Sequence, residues 1–200
     1  MYIAIKELYK CFKHLNHHFF GGQLPEPTIT IQTKGKRNAF GWCSAVEFWK
    51  NQDESVKKYE INITAEDLDR GVIEVMQTLL HEMIHLYNVV NGVKDSSRNG
   101  NFHNKKFKSA AERFGMTYEN KEADKHYGWA FPVLAPATIE LIETLNINEK
   151  AFELARRVPK TVKKSNSYKL QCPICGIKLR ATKPGIVVIC KTCGVELIEY

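Results

Sequence analysis

The chain has 200 residues, 44% hydrophobic and 10% aromatic, which is enough for one domain with a core plus a small appendage. This composition excludes a chain that is disordered throughout. The sequence contains no run of eighteen apolar residues, so no membrane-spanning helix is predicted. The net charge of +7 is uneven, because residues 156–200 carry 10 Lys and Arg against 2 acidic residues, whereas residues 1–155 are almost neutral. The N-terminal residues lack the apolar core of a signal peptide, so we expect a cytoplasmic protein with no membrane association.

Apolar spacing predicts an α+β fold for the first three quarters of the chain. Alternating residues predict three strands, at 28–31, 39–49 and 59–63. Three-to-four-residue spacing predicts helices at 3–19, 72–90, around Phe107 up to Gly115, and at 139–158 with a break near Asn146. The stretch between 94 and 104 is polar and is predicted to be a loop.

The composition changes near residue 158. Residues 158–167 are basic and polar without an apolar period, which is typical of a linker. We therefore predict a first domain at 1–157, a basic linker at 158–167 and a small β domain at 168–200.

The strongest predicted helix contains an H-E-x-x-H sequence, His81-Glu82-Met83-Ile84-His85. Residues four apart lie on one face of an α-helix, so the imidazoles of His81 and His85 can converge on one metal ion. Glu82 is directed beside that ion, where it can take a proton from water and pass it to a leaving amine. Since three protein ligands leave a fourth zinc position open, the pattern predicts a catalytic zinc site.

A third ligand must come from another part of the chain. The metzincin extension requires Gly at 88 and His at 91, and the chain has Asn88 and Asn91, which excludes that class. The downstream side chains that can bind zinc are His103, Glu112, Glu119, Glu122, Asp124 and His126. Spacing alone places His103 only modestly ahead of the carboxylates. His126 and Tyr127 are also candidate oxyanion donors, but we expect this pair to serve in packing.

Four of the six cysteines form two C-x-x-C pairs, Cys172/Cys175 and Cys190/Cys193, separated by 14 residues. Each pair is followed by a glycine, which permits a tight turn. Four thiolates make a closed structural zinc site, and a segment this short needs the metal in order to fold. The pattern predicts a zinc ribbon.

Basic residues surround the predicted ribbon. They are Lys160, Lys163, Lys164, Lys169, Lys178, Arg180, Lys183 and Lys191. Such a surface favours non-specific binding to nucleic acid, with a solvated or protein-docking module as the alternative.

Four stretches together resemble the SprT-like family, which includes the Spartan DNA–protein crosslink proteases. The stretches are Leu8 to Pro25 (ending Asn16-His-His-Phe-Phe-Gly-Gly-Gln-Leu-Pro25), Gly41-Trp-Cys-Ser44, Leu79 to His85, and His103-Asn-Lys-Lys-Phe107. The family's third zinc ligand is a histidine in an H-x-x-x-F context, which matches His103. The family often has Gly-His-Gly at that ligand, whereas this chain reads Phe102-His103-Asn104.

The resemblance implies a zincin-like metalloprotease domain, with helices packed on a small antiparallel sheet and a C-terminal zinc ribbon. It implies one catalytic and one structural zinc ion, and a protein substrate that is bound or crosslinked to DNA, hence a role in DNA repair. The function expected is that of a zinc-dependent endopeptidase with Glu82 as its base. Two alternatives stay open: a DNA-binding or regulatory zinc protein with little or no proteolytic activity, and a metallohydrolase of a non-peptide bond.

Overall fold

The computed structural model describes residues 1–34, 39–157 and 167–200. It divides the chain into two compact units, Met1–Val158 and Pro159–Tyr200. The predicted linker, 158–167, lies outside the described residues except for its last one, and the predicted domain boundaries remain predictions.

The described residues of the first unit form four α-helices, and two of them match the clearest periodic patterns in the sequence. They are α1 (Tyr2–Phe20), α2 (Val72–Val90), α3 (Lys105–Arg113) and α4 (Pro136–Glu143), with short 3-10 helices at Ala65–Arg70 and Glu149–Phe152. The helices predicted at 3–19 and 72–90 are confirmed. Helix α1 ends at Gly21, whose φ of 61° is the left-handed conformation that glycine adopts without strain.

Nine short strands complete the described part of the first unit. They are β1 (Thr28–Gln32), β2 (Gly41–Cys43), β3 (Trp49–Lys50), β4 (Lys57–Lys58), β5 (Glu60–Thr64), β6 (Ser96–Ser97), β7 (Phe102–His103), β8 (Met116–Thr117) and β9 (Val133–Leu134). The main sheet has the order β1-β5-β2, and the other strands form two-stranded pairs. The α+β class is therefore confirmed. One pairing differs from the antiparallel sheet expected, because β1 runs parallel to β5 while β2 runs antiparallel to it. A long connection that contains β2 joins β1 to β5, and such a connection permits a parallel pair.

Three predicted elements differ in detail. The strand predicted at 39–49 splits into β2 and β3, because Ser44 ends the pairing of β2 by bonding the backbone of Glu60 on β5. The predicted loop at 94–104 contains the β6–β7 hairpin. The helix predicted at 139–158 is interrupted at the predicted break, where Asn146 has a left-handed φ of 46°: α4 ends at Glu143, and only the short 3-10 helix at Glu149–Phe152 follows among the described residues.

Helix α2 lies at the centre of the first unit. Its apolar residues Leu79, Leu80, Met83 and Ile84 are 0% exposed and share one core with α1, α3 and the main sheet. The burial of this face fixes the rotation of α2 about its axis. The side chains of the H-E-x-x-H sequence are thereby aimed along a defined direction.

The second unit contains a three-stranded antiparallel sheet. Its strands are β10 (Tyr168–Gln171), β11 (Lys178–Ala181) and β12 (Ile198–Glu199), in the order β11-β10-β12. Its core contains five buried residues, two of which are cysteines: Leu170, Cys172, Ala181, Cys190 and Leu197. In neither unit do the described residues include a helix long and apolar enough to cross a bilayer.

Candidate metal centres

Three histidines from two elements converge at one point of the first unit. His81 and His85 lie one turn apart on α2, and His103 ends β7. The Nε2 atom of His103 is 3.2 Å from Nε2 of His81 and 2.9 Å from Nε2 of His85. The candidate third ligand from the sequence thus lies directly beside the two histidines of the motif.

The backbone of His103 is held on both sides. Its strand β7 pairs with β6, so that Ser96 lies opposite His103. Its N–H donates to the carbonyl of Tyr127 at 2.9 Å, and its carbonyl accepts from the N–H of Trp129 at 2.9 Å. Between them, Gly128 has a φ of 65°. This loop fixes the position of His103 independently of any bond to its side chain.

Replacing Gly128 with Ala is expected to damage this arrangement. An added Cβ would lie 2.1 Å from the carbonyl oxygen of His103, and the φ is already unfavourable for an L-residue. We expect the free energy of unfolding to fall by about 3 kcal/mol and zinc binding at the histidines to weaken.

Gly92→Ala is the matched control for that substitution. Gly92 has a φ of 67° with nothing within 4 Å of an added Cβ, so it should cost only about 1 kcal/mol. Thermal and denaturant unfolding of the two variants measures the difference. Equal losses would contradict the proposed role of the loop.

An aromatic ring supports all three imidazoles. Phe107 on α3 is 0% exposed, and its ring centroid is 4.7 Å from that of His81, 4.5 Å from His85 and 4.6 Å from His103. Helix α3 begins beside His103, since Asn104 caps it by accepting from the N–H of Lys106 at 2.7 Å. The H-x-x-x-F spacing thus places one ligand and the supporting ring on the same short segment.

A carboxylate orients His85. Its Nδ1 lies 2.7 Å from Oδ2 of Asp95. Because an ionised carboxylate only accepts, Nδ1 carries the hydrogen, and Nε2 is the ring nitrogen that faces the other two histidines. Burial alone would lower the pKa of His85, but the hydrogen bond to Asp95 raises it above its usual value. Burial likewise opposes ionisation of Asp95, yet its hydrogen bond with His85 keeps its pKa below the usual value.

The other two imidazoles are neutral. Burial, together with the neighbouring His85 and His103, holds the pKa of His81 well below its usual value. Burial and His85 lower the pKa of His103 to about 3. Three imidazole Nε2 atoms therefore lie together in a desolvated site, and imidazole nitrogen is a donor that zinc takes. Nitrogens bound at zinc distances in a tetrahedral arrangement are about 3.3 Å apart, close to the two distances observed. The residues fit the metal.

Glu82 is buried beside this cluster, with 5% of its surface exposed. Burial raises its pKa to about 7, although the charge of His85 opposes the shift. Strand β2 passes close to it, since a Cβ on Gly41 would be 3.2 Å from Cγ of Glu82. A carboxyl whose pKa is near 7 is suited to accept and return protons at neutral pH.

The remaining candidates for the third ligand are exposed: Glu112, Glu119, Glu122, Asp124 and His126. Glu112 pairs with Lys108, and Asp124 accepts the backbone N–H groups of His126 and Tyr127. Tyr127 is 49% exposed and contributes its backbone carbonyl to His103.

Two residues that position the histidines were missed from the sequence. They are Asp95, in the stretch predicted only to be a polar loop, and Gly128, in a segment for which no element was predicted. A carboxylate between the H-E-x-x-H sequence and His103 was a signal for Asp95, because histidine ligands commonly donate to one. No local pattern indicated Gly128.

The four predicted cysteines also form a cluster, at the end of the second unit. Their sulfur atoms lie within 4.8 Å of one another, with 3.7 Å between those of Cys175 and Cys190. The two pairs have the same local structure, since Gly176 and Gly194 both have a φ of 71°. The backbone N–H of Cys175 lowers the pKa of Cys172 to about 7 and so favours its thiolate. Each cluster could hold a metal ion, and both donor sets are consistent with zinc.

The first unit is a zincin-like domain. It has two histidines one helical turn apart with a glutamate between them, and a third histidine from the hairpin that follows. The model of the SprT-like family matches residues 8–126, more than half of the chain, and the chain belongs to this family. The four-cysteine cluster is consistent with a C-terminal zinc ribbon. A search of curated proteins and a search of solved structures each found no match. Membership suggests a metalloprotease-like function and metal binding.

Proposed function

We propose that this protein is a zinc-dependent endopeptidase that acts on proteins bound or crosslinked to DNA. The observation that carries the proposal is the convergence of three histidine Nε2 atoms beside a buried glutamate on the same helix. His81, His85 and His103 hold the catalytic zinc, and the four cysteines hold a structural one. A purely structural histidine site has no use for Glu82.

Glu82 carries the proton transfers. When bound, zinc supplies a Lewis acid that polarises the scissile carbonyl and acidifies water. Glu82 accepts a proton from the attacking water and returns it to the leaving amine nitrogen. Burial, which raises its pKa to about 7, makes both transfers feasible near neutral pH.

An extended peptide is the substrate that the neighbouring strand favours. Among the described residues, β2 pairs only with β5, so its other edge can bond a further strand. The same strand lies against Glu82 through Gly41. A peptide added to this edge by backbone hydrogen bonds would lie along the site, and this supports peptide hydrolysis over cleavage of a non-peptide bond.

One face of the second unit supports nucleic-acid binding. Lys169 on β10 lies directly opposite Arg180 on β11, which places two like charges side by side, and such pairs are destabilising without an anion. Lys178 lies two residues from Arg180 on the same face, with its Nζ 5.3 Å from the centre of the Tyr200 ring. Cations beside an exposed aromatic ring are suited to phosphates and stacked bases of a single strand.

Reversing the charges of Lys169 and Arg180 tests whether this face binds nucleic acid. We expect Lys169→Glu with Arg180→Glu to weaken single-stranded DNA binding about tenfold at low salt and to lower the salt slope by about 1.4, since each phosphate contact contributes about 0.7. Fluorescence anisotropy across salt concentrations measures both quantities. Lys6→Glu with Lys150→Glu makes the same charge change on exposed lysines of the first unit. Equal losses in both double variants would point to net charge alone and contradict a specific face.

The function itself is tested with a model protein crosslinked to single-stranded DNA and the same protein free. We expect the zinc-loaded chain to cleave the crosslinked form faster and a chelator to abolish cleavage. Equal cleavage of both forms would retain the peptidase but remove DNA from the proposal. DNA binding without cleavage would favour a regulatory zinc protein.

A further inference from the structure

Asp95 is a buried carboxylate that is neither a ligand in the histidine cluster nor part of the H-E-x-x-H sequence. It is 4% exposed. Its Oδ2 accepts from Nδ1 of His85 at 2.7 Å and from Nδ2 of Asn88 at 2.9 Å. Both donors lie on α2, one turn apart, so the carboxylate is fastened to the ligand-bearing helix at two points.

The backbone of Asp95 is fastened to the other ligand-bearing element. Its carbonyl accepts from the N–H of Asn104, which follows His103, at 2.9 Å. The side chain of Asn104 donates to the carbonyl of Lys94 at 3.0 Å. Ser96, the next residue after Asp95, lies opposite His103 in the β6–β7 hairpin. One residue therefore connects the orientation of His85 to the position of His103.

We infer that Asp95 is a positioning residue of the metal centre, which turns Nε2 of His85 toward the metal and holds the His103 hairpin against α2. The inference rests on the proposed zinc site. A carboxylate behind a histidine ligand fixes its tautomer and raises its basicity, and loss of such a partner commonly costs 10–100-fold in metal affinity. An amide in its place would both donate and accept, so it would no longer select the Nδ1–H tautomer.

Asp95→Asn tests the inference because it keeps the shape of the side chain. The full chain is first loaded with one equivalent of zinc, which the four thiolates take, and the second equivalent is then titrated against a competing chelator. We expect Asp95→Asn to bind the second zinc about 10–100-fold more weakly. The metal-free site is expected to lose some stability with the ion pair, but the first unit should remain folded at the titration temperature before the second equivalent is added, as its circular dichroism measures.

Asp53→Asn is the matched control, since Asp53 is an exposed carboxylate that accepts hydrogen bonds from Ser55 in a turn of the same unit. It should bind the second zinc as the wild type does. Unchanged zinc affinity in Asp95→Asn would overturn the inference. So would a loss of affinity in a chain that is already unfolded at the titration temperature before the second zinc is added, because that would make Asp95 merely structural. A wild-type chain that binds no second zinc would instead refute the proposed function.

Discussion

Replacing Glu82 with Gln is expected to lower peptide hydrolysis by about 10²–10⁴-fold while both zinc ions stay bound. The amide has the shape of the carboxylate but cannot take a proton from water. Glu82 contributes no atom to the three-histidine cluster, so the metal site should survive the change. Initial rates on an unfolded protein, together with zinc content per chain, measure the two effects separately.

The pH dependence provides a second readout of the same variant. Glu82 must be ionised to act as a base, so wild-type activity should rise as the pH increases through the pKa of Glu82 in the zinc-loaded chain, which the charge of the zinc ion lowers from the value of about 7 in the metal-free chain. In the metal-free protein, burial raises the pKa of Glu82 from the ordinary 4.5 to about 7, so the folded chain retains a proton that the unfolded chain releases. The resulting loss of stability begins above pH 4.5 and is complete above pH 7. Metal-free Glu82→Gln should therefore melt at a higher temperature than metal-free wild type at pH 8, and no such gain should appear at pH 4.

Glu74→Gln is the control for both readouts. Glu74 lies in the first turn of the same helix and is exposed. The change removes one charge from α2 without affecting the site, so activity and its pH profile should match the wild type. Proteolysis that persists in Glu82→Gln would contradict the assignment of the base.

Replacing Cys190 with Ser is expected to unfold the second unit. Cys190 is buried, and among the described residues of the unit the buried core contains three apolar residues besides its two cysteines. Metal binding contributes about 10–16 kcal/mol of apparent free energy in small zinc modules, which this core cannot replace. Zinc content should fall from two ions to one, and the amide signals of residues 167–200 should collapse to unfolded positions.

Lys191→Ala is the control, because Lys191 lies between Cys190 and Cys193 in the sequence and is exposed. It should retain both zinc ions and the folded signals. The histidine centre should keep its zinc in both variants, because its ligands belong to the first unit. A Cys190→Ser chain whose residues 167–200 remain folded without metal would contradict a zinc-dependent ribbon.

The sequence pattern predicted correctly those elements that are determined by residues close together in the chain. Helix α2 was predicted with its observed bounds, because one face is continuously apolar and Asn91 and Gly92 follow it. The two cysteine pairs were equally predictable, because each pair and the glycine that follows it lie within five consecutive residues. The strand predicted at 39–49 was wrong in extent, because its end depends on where Ser44 meets β5. The alternation of apolar and polar residues in one segment does not indicate which strand it will pair with.

The histidine metal centre was only partly predictable, because some of its contacts also join segments that are far apart in the sequence. His81, Glu82 and His85 are adjacent in sequence, so helical geometry alone brings the histidines together. Spacing placed His103 only modestly ahead of the carboxylates; the resemblance to the SprT-like family singled it out. The contacts that hold His103 come from Tyr127 and Trp129, more than twenty residues away. Such contacts are set by tertiary packing, which no local period encodes.

The most direct test of the account is hydrolysis of a DNA-crosslinked protein in water enriched in oxygen-18, followed by mass spectrometry of the fragments. The zinc-loaded wild type should produce new peptide C-termini that each contain one heavy oxygen atom, and the zinc-loaded Glu82→Gln chain should produce almost none. Fragments formed equally by both chains, or no fragments from a wild-type chain that binds two zinc ions, would contradict a peptidase that uses Glu82 at the histidine centre.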